Sequence, residues 1–127
     1  MRAVIIPEHG TVEAMRLIDD HPRPVASPGH VVIKVRASSL NYHDIFTLRG
    51  MPGITIPMPV VPGLDIAGEI DELGEGVDGW SVGDRVLVHP INSEGKLMGE
   101  VVDGGLAQYA LVEASQLIAL PEAVTFA

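Results

Sequence analysis

The chain has 127 residues, 46% of them apolar, with 14 glycines and 10 prolines, which suits one core, many turns and few long helices. A formal net charge of −9, with eight Lys and Arg scattered singly, argues against a nucleic-acid or anionic-membrane surface. Without cysteine there is no disulfide framework, no thiolate nucleophile and no cysteine-built zinc site.

Residues 1–6 (MRAVII) predict a first strand, closed by Pro7 and Gly10; they are too short, and carry Arg2, for a signal or membrane segment. Residues 15–18 predict a second strand. The three prolines of residues 19–28 (DDHPRPVASP) predict an extended run over the surface. Residues 31–38 form the clearest strand pattern, with Ile33 and Val35 facing away from Lys34 and Arg36.

Residues 41–49 (NYHDIFTLR) change character. Asn41 suits a helix cap, and Asp44 suits the positive first turn. Ile45 with Leu48, and Tyr42 with Phe46, have helical spacing, and Gly50 suits the stop. Four prolines make residues 51–62 an ordered loop without a ladder.

The segment 64–73 alternates, with Leu64, Ile66 and Ile70 on one parity and mostly acidic residues on the other, as in a half-buried strand. Gly68 within it points to a bulge or a close backbone approach. Further strands are expected at 85–89, 105–112 and 116–120, the last closed by Pro121. Residues 91–104, polar and glycine-bearing, read as a mobile excursion. Seven short strands and one short helix imply a small closed barrel or sandwich. Val124 and Phe126, near an apolar end, suggest one domain of a longer protein.

Gly74-Glu75-Gly76-Val77-Asp78-Gly79 spells GxGxxG, but Trp80-Ser81-Val82-Gly83-Asp84 follows as a turn into a strand. A dinucleotide fingerprint needs a helix there, and Glu75 and Asp78 would repel phosphate, so the segment reads as a turn. The acidic cluster Glu69, Asp71, Glu72, Glu75 and Asp78 reads as a solvated face. Of five histidines, none pairs at ligand spacing on one element. His9, His21 and His30 read as solvated and His89 as structural. His43, between Tyr42 and Asp44 on the helix, is either a proton carrier near neutral pH or a surface histidine with a local hydrogen bond.

The ordered motifs Ala37-Ser38-Ser39-Leu40-Asn41-x-x-Asp44, Val61-Pro62-Gly63-x-Asp65-x-x-Gly68, Val82-Gly83-Asp84-Arg85-Val86, Gly104-Gly105-x-Ala107-x-Tyr109 and Leu120-Pro121 carry a family resemblance. Together they resemble the N-terminal GroES-like catalytic domain of the medium-chain dehydrogenases/reductases, the alcohol dehydrogenase and quinone oxidoreductase group. The resemblance covers essentially the whole chain. It implies a mainly β fold, a partly closed GroES-like barrel with one or two short helices. Residues 1–127 would form that one domain, with the Rossmann cofactor domain outside this chain.

Zinc-dependent members carry a cysteine at the Asn41 position and a histidine-glutamate pair at Leu64-Asp65. Leucine offers a metal no lone pair and an amide offers little, so the resemblance points to the zinc-free, quinone-oxidoreductase-like branch and to no metal ligands. That branch often has tyrosine where Phe46 stands, and zinc enzymes have a relay serine or threonine where His43 stands. The implied activity is hydride transfer from NADP or NAD to a quinone, carbonyl or enone, the cofactor being bound by the full-length protein through residues this chain does not identify. Asn41, Tyr42, His43 and Asp44 are the implied catalytic residues, and Phe46, Leu64 and Asp65 the implied substrate pocket. The 127 residues alone are expected to be inactive. The full-length protein is expected to be a cytoplasmic homo-oligomer with a small-molecule substrate and no nucleic-acid or membrane partner. The competing readings are a stand-alone binding or oligomerising module on the same barrel, and a zinc dehydrogenase with unusual ligands.

Overall fold

The computed structural model describes all 127 residues, Met1–Ala127. Its elements run β1 (Ala3–Ile5), β2 (Arg16–Ile18), β3 (His30–Ser38), α1 (Tyr42–Arg49), β4 (Ile66–Leu73), β5 (Arg85–Val88), β6 (Tyr109–Glu113) and β7 (Leu117–Ala119). Short 3₁₀ turns stand at Val12–Ala14 and Ala114–Gln116. Each of the seven expected strands is present, and residues 19–28 run without regular structure as the prolines require. The ends differ. Leu64 and Asp65 precede β4, and residues 105–108 precede β6, where Gly105 and Leu106 N–H groups donate to the Gly63 and Pro62 carbonyls and Gln108 N–H to the Arg2 carbonyl.

β1 and β2 form a two-stranded antiparallel sheet, and five strands form the other in the order β6-β3-β4-β5-β7. The larger sheet is curled but open, correcting the closed-barrel expectation. Four steps of about 4.8 Å would hold the edges of a flat sheet about 19 Å apart. The chain from Glu113 to Leu117 reaches at most about 14 Å, so β6 and β7 are drawn toward each other around the core. Gln116 closes the corner, receiving the Glu113 N–H and donating to the His89 carbonyl, at 2.9 and 2.8 Å.

The interior of this sheet is Val31, Ile33, Ile66, Ile70, Val86, Val88, Met98, Ala110 and Val112. A second cluster, Ile6, Leu48, Ile56 and Val60, seats the helix against the β1 end. Gly68 fulfils the close-approach expectation. A Cβ there would lie 2.3 Å from the Lys34 carbonyl oxygen, where the β3–β4 register shifts between Val35 and Ala37.

Residues 91–104 overturn the mobile-excursion expectation. Met98 is fully enclosed in the main core, and isolated bridges join Ile91 to Leu97 and Met98 to Val102. The arm's polarity reflects its hydrogen bonding, not freedom from the body. Gly104 N–H donates to the Val61 carbonyl at 2.7 Å, and Val61 N–H donates to the Asp103 carboxylate at 2.8 Å. His21, expected to be solvated, has its ring mostly covered beside Asp103. The acidic cluster is only partly free: Glu69 pairs with Arg36, Asp71 with Arg23, and Glu72 receives the Ala26 N–H.

Candidate active site

The site begins where β3 runs out. Asn41 is extended (φ −121°, ψ 158°) and α1 starts at Tyr42, as the capping residues dictate. Asp44 reaches back to the Asn41 N–H at 2.8 Å, satisfying a donor that the first helical turn leaves without an intrahelical partner. Its other oxygen takes the Gly63 N–H at 2.9 Å. Only 4% of Asp44 is exposed, so this one carboxylate ties the helix start to the turn before β4. The helix buries Asp44, Thr47 and Leu48, three and four residues apart, on one face. His43 lies half-buried beside that face, and Gly50 ends the helix at φ 84°.

Across from the helix, Asp65 accepts a hydrogen bond from the Asn41 amide at 2.8 Å and another from the Ser39 hydroxyl. An asparagine amide has two N–H donors, so one remains for a ligand. His43 Nε2 meets the carboxylate of Glu100, which comes from the arm and is 7% exposed. The Phe46 ring stands edge-on to the His43 ring, centroids 6.4 Å apart. Leu40, Tyr42 and Phe46 form an exposed rim, with Tyr42 84% exposed and its hydroxyl without a partner in the chain.

The structure thus joins Asn41 to Asp65 and His43 to Phe46, and it leaves Tyr42 in solvent. Leu64 is partly covered in the turn between Gly63 and Asp65. Asp44 is next to His43 in sequence, yet both its oxygens go to backbone N–H groups, and Glu100 is the imidazole's partner. Glu100 was missed because it lies 57 residues away, in a segment read as mobile. Ser39 was missed as well, although its hydroxyl two residues before Asn41 was a visible signal.

The donors do not suit a catalytic zinc. Leu64 has no lone pair, Asn41 offers an amide, and Asp65 is already committed to two donors, short of the three-ligand sets such sites use. No group of three His, Cys, Asp or Glu side chains is arranged to hold a metal ion. The GxGxxG segment turns through Gly76 and Gly79, both near φ +79°, and leads to β5 with no intervening helix. A cavity of about 620 Å³ lies elsewhere, lined by Met98, Val60, Val61, Tyr109, His21 and Asp103 among others, and shares no residue with the Asn41–Asp65 group. Of its polar groups, Asp103 and Gln116 serve the backbone, while Arg23 pairs with Asp71 and lies over the Tyr109 ring.

Two carboxyls are held below the usual carboxylate range, and both lie outside this group. Glu113 is lowered chiefly by the Ser93 N–H and then by the Ser93 hydroxyl, and Glu13 chiefly by the Thr11 hydroxyl. Each anchors a turn.

Residues 27–122 match the model of the alcohol dehydrogenase GroES-like domain. The chain belongs to that family. The quinone oxidoreductase of Lama guanicoe is 33% identical over 126 residues, covering 99% of this chain and 35% of that protein. A zinc-type alcohol dehydrogenase-like protein of Schizosaccharomyces pombe is 34% identical over 110 residues, covering 79% and 32%. A crystal structure of an NAD-dependent alcohol dehydrogenase superposes with a TM-score of 0.91 at 28% identity, over 99% of this chain and 41% of that one. This GroES-like chain therefore spans about a third of the length of the curated relatives it matches. None of its helices is long and apolar enough to cross a membrane.

Proposed function

We propose that this domain supplies the substrate side of an NADP- or NAD-dependent oxidoreductase that reduces a quinone, a carbonyl or an enone. The reading is supported by the Asn41–Asp65 and His43–Glu100 hydrogen bonds at the start of α1, on the segment that exposes Leu40, Tyr42 and Phe46, in a domain whose named relatives include a quinone oxidoreductase. The nicotinamide cofactor supplies the hydride and would be held by a Rossmann domain outside these residues. The free N–H of the Asn41 amide offers a hydrogen bond to the substrate oxygen as negative charge develops there. Asp65 orients that amide. His43 exchanges the proton, and Phe46 and Leu64 shape the apolar contact. Asp44 acts through the backbone, fixing the position of Asn41. Tyr42, exposed on the rim, contacts substrate or the opposing domain. The cytoplasmic, homo-oligomeric and zinc-free assignments belong to this same reading. Its support against zinc is the donor chemistry of Asn41 and Leu64. No observation favours a stand-alone binding module.

The test uses the full-length protein with NADPH and NADH against a panel of quinones, enones and aldehydes. Cofactor oxidation with at least one of them is expected, and His43→Ala should lower kcat about a hundredfold, the ordinary scale of general acid–base catalysis. Oxidation of neither cofactor across the whole panel would overturn the oxidoreductase reading. An unchanged kcat in His43→Ala would remove the histidine from it.

A further inference from the structure

We infer that Glu100 is a positioning residue that locks His43 as the Nε2–H tautomer, so that proton exchange with substrate runs through Nδ1. The inference rests on the proton-exchange role given to His43 above and adds the residue that sets its geometry. Glu100 is nearly buried, and its side chain has one hydrogen-bond partner, His43 Nε2. An ionised carboxylate removed from water needs a donor, and a neutral imidazole has one N–H to give. Placing that N–H on Nε2 satisfies the carboxylate and leaves the lone pair on Nδ1. Nδ1 makes no hydrogen bond within the chain and is not among the enclosed unpaired atoms, and the His43 side chain is 28% exposed.

No other acid competes for the ring. Asp44 is committed to the Asn41 and Gly63 N–H groups, and Asp65 to Ser39 and Asn41. Glu100 is also held on a rigid support. A Cβ on its neighbour Gly99 would lie 2.7 Å from the Gly63 nitrogen, and one on Gly104 would lie 2.1 Å from the Gly63 oxygen. The arm is therefore seated backbone to backbone on the same residue that Asp44 holds. His43 and its carboxylate are thus fixed from both ends through Gly63.

In the reduction, a bound nicotinamide would be the reductant, supplying the hydride to the substrate carbon and being oxidised in turn; what this chain contributes is the proton. The Nδ1–H bond of the imidazolium breaks, and its proton forms the O–H bond of a carbonyl substrate's product. His43 is left neutral as the Nε2–H tautomer, still donating to Glu100. The carboxylate also offsets the positive charge the ring carries before transfer.

The experiment is nitrogen-15 NMR of the full-length protein, selectively labelled at histidine, beside steady-state kinetics. The neutral His43 ring of the wild type should show a protonated Nε2 and a bare Nδ1. Glu100→Leu, which removes the acceptor, should give mixed tautomers and about a tenfold loss in kcat with KM nearly unchanged. Glu100→Gln keeps an acceptor oxygen and should restore both the tautomer and most of the kcat. A bare Nε2 in the wild type, or a tautomer that Glu100→Leu leaves unaltered, overturns the inference while the function of His43 stands. The wild-type spectrum decides this even where Glu100→Leu fails to fold. Conversely, an Nε2–H tautomer together with unimpaired turnover in His43→Ala overturns the relay itself, and Glu100 keeps only a structural bond.

Discussion

In the curled sheet, Val31, Ile33, Ile66, Ile70, Val86 and Val112 share one apolar interior, and each has several neighbours able to shift when one is trimmed. At the junction under α1, Gly63 is held by single, short and directional contacts: its N–H donates to the Asp44 carboxylate, its carbonyl accepts the Gly105 N–H at 2.9 Å, and Gly99 and Gly104 pack closely against its backbone. Dispersion and burial are non-directional and spread over many atoms, whereas a backbone-to-backbone seat has no flexible side chain to give way. The sheet therefore tolerates small losses. The junction, which carries Asn41, His43, Asp65 and Glu100, does not.

The sharpest break in this comparison is Gly104→Ala. Its new Cβ would meet three backbone atoms, the Gly63 and Pro62 oxygens at 2.1 and 2.8 Å and the Gly99 Cα at 2.8 Å. Overpacking against backbone should cost more than about 4 kcal/mol or abolish folding, read as the urea midpoint of the full-length protein. Gly76→Ala is the control. With φ +79° but nothing within 4 Å, it should cost only about 1–2 kcal/mol. Equal losses at the two sites would mean that the seat on Gly63 is not what holds the arm.

A smaller effect is expected from Asp44→Ala, which strips the partner from two backbone N–H groups. Gly63 N–H is buried and Asn41 N–H partly so, and leaving both unsatisfied should cost about 3 kcal/mol in the same denaturation measurement. The loss should be accompanied by lower turnover, since the Asn41 backbone is no longer fixed. A loss under about 1 kcal/mol would show that water replaces the carboxylate easily and that the junction is softer than the contacts suggest.

How much of this was readable beforehand follows the same division. Alternation placed β3 and β4 because a strand's side-chain period is written locally, and Asn41, Asp44 and Gly50 marked both ends of α1 for the same reason. The residues of the candidate site came from matched motif positions, and two of them, Asn41 and Asp65, are hydrogen-bonded to each other. Glu100 did not come from either source. Nothing local distinguishes a glutamate that will be buried against an imidazole from one in a solvated loop. Gly99 and Gly104 fell in the stretch read as a mobile excursion, yet their decisive property is the absence of a Cβ against a backbone far away in sequence. The GxGxxG letters err in the opposite direction: the composition is right, while the following residues form a turn.

The sheet side of the comparison is tested by Ile70→Val. Ile70 is enclosed within the main core on β4, where its strand pairs with both β3 and β5. Removing one methylene should cost about 1 kcal/mol, the usual transfer and cavity cost for this substitution. Because the gap opens among apolar side chains that can close on it, the shift should stay within the sheet. The prediction therefore has two parts: a small fall in the urea midpoint, and kcat and KM equal to wild type. A turnover loss comparable to that of Asp44→Ala would mean that strain in the sheet reaches the junction through β4, whose first residue, Ile66, follows Asp65 directly. In that event the two regions would have to be treated as one mechanical unit, and the tolerance ascribed to the sheet would hold for stability alone.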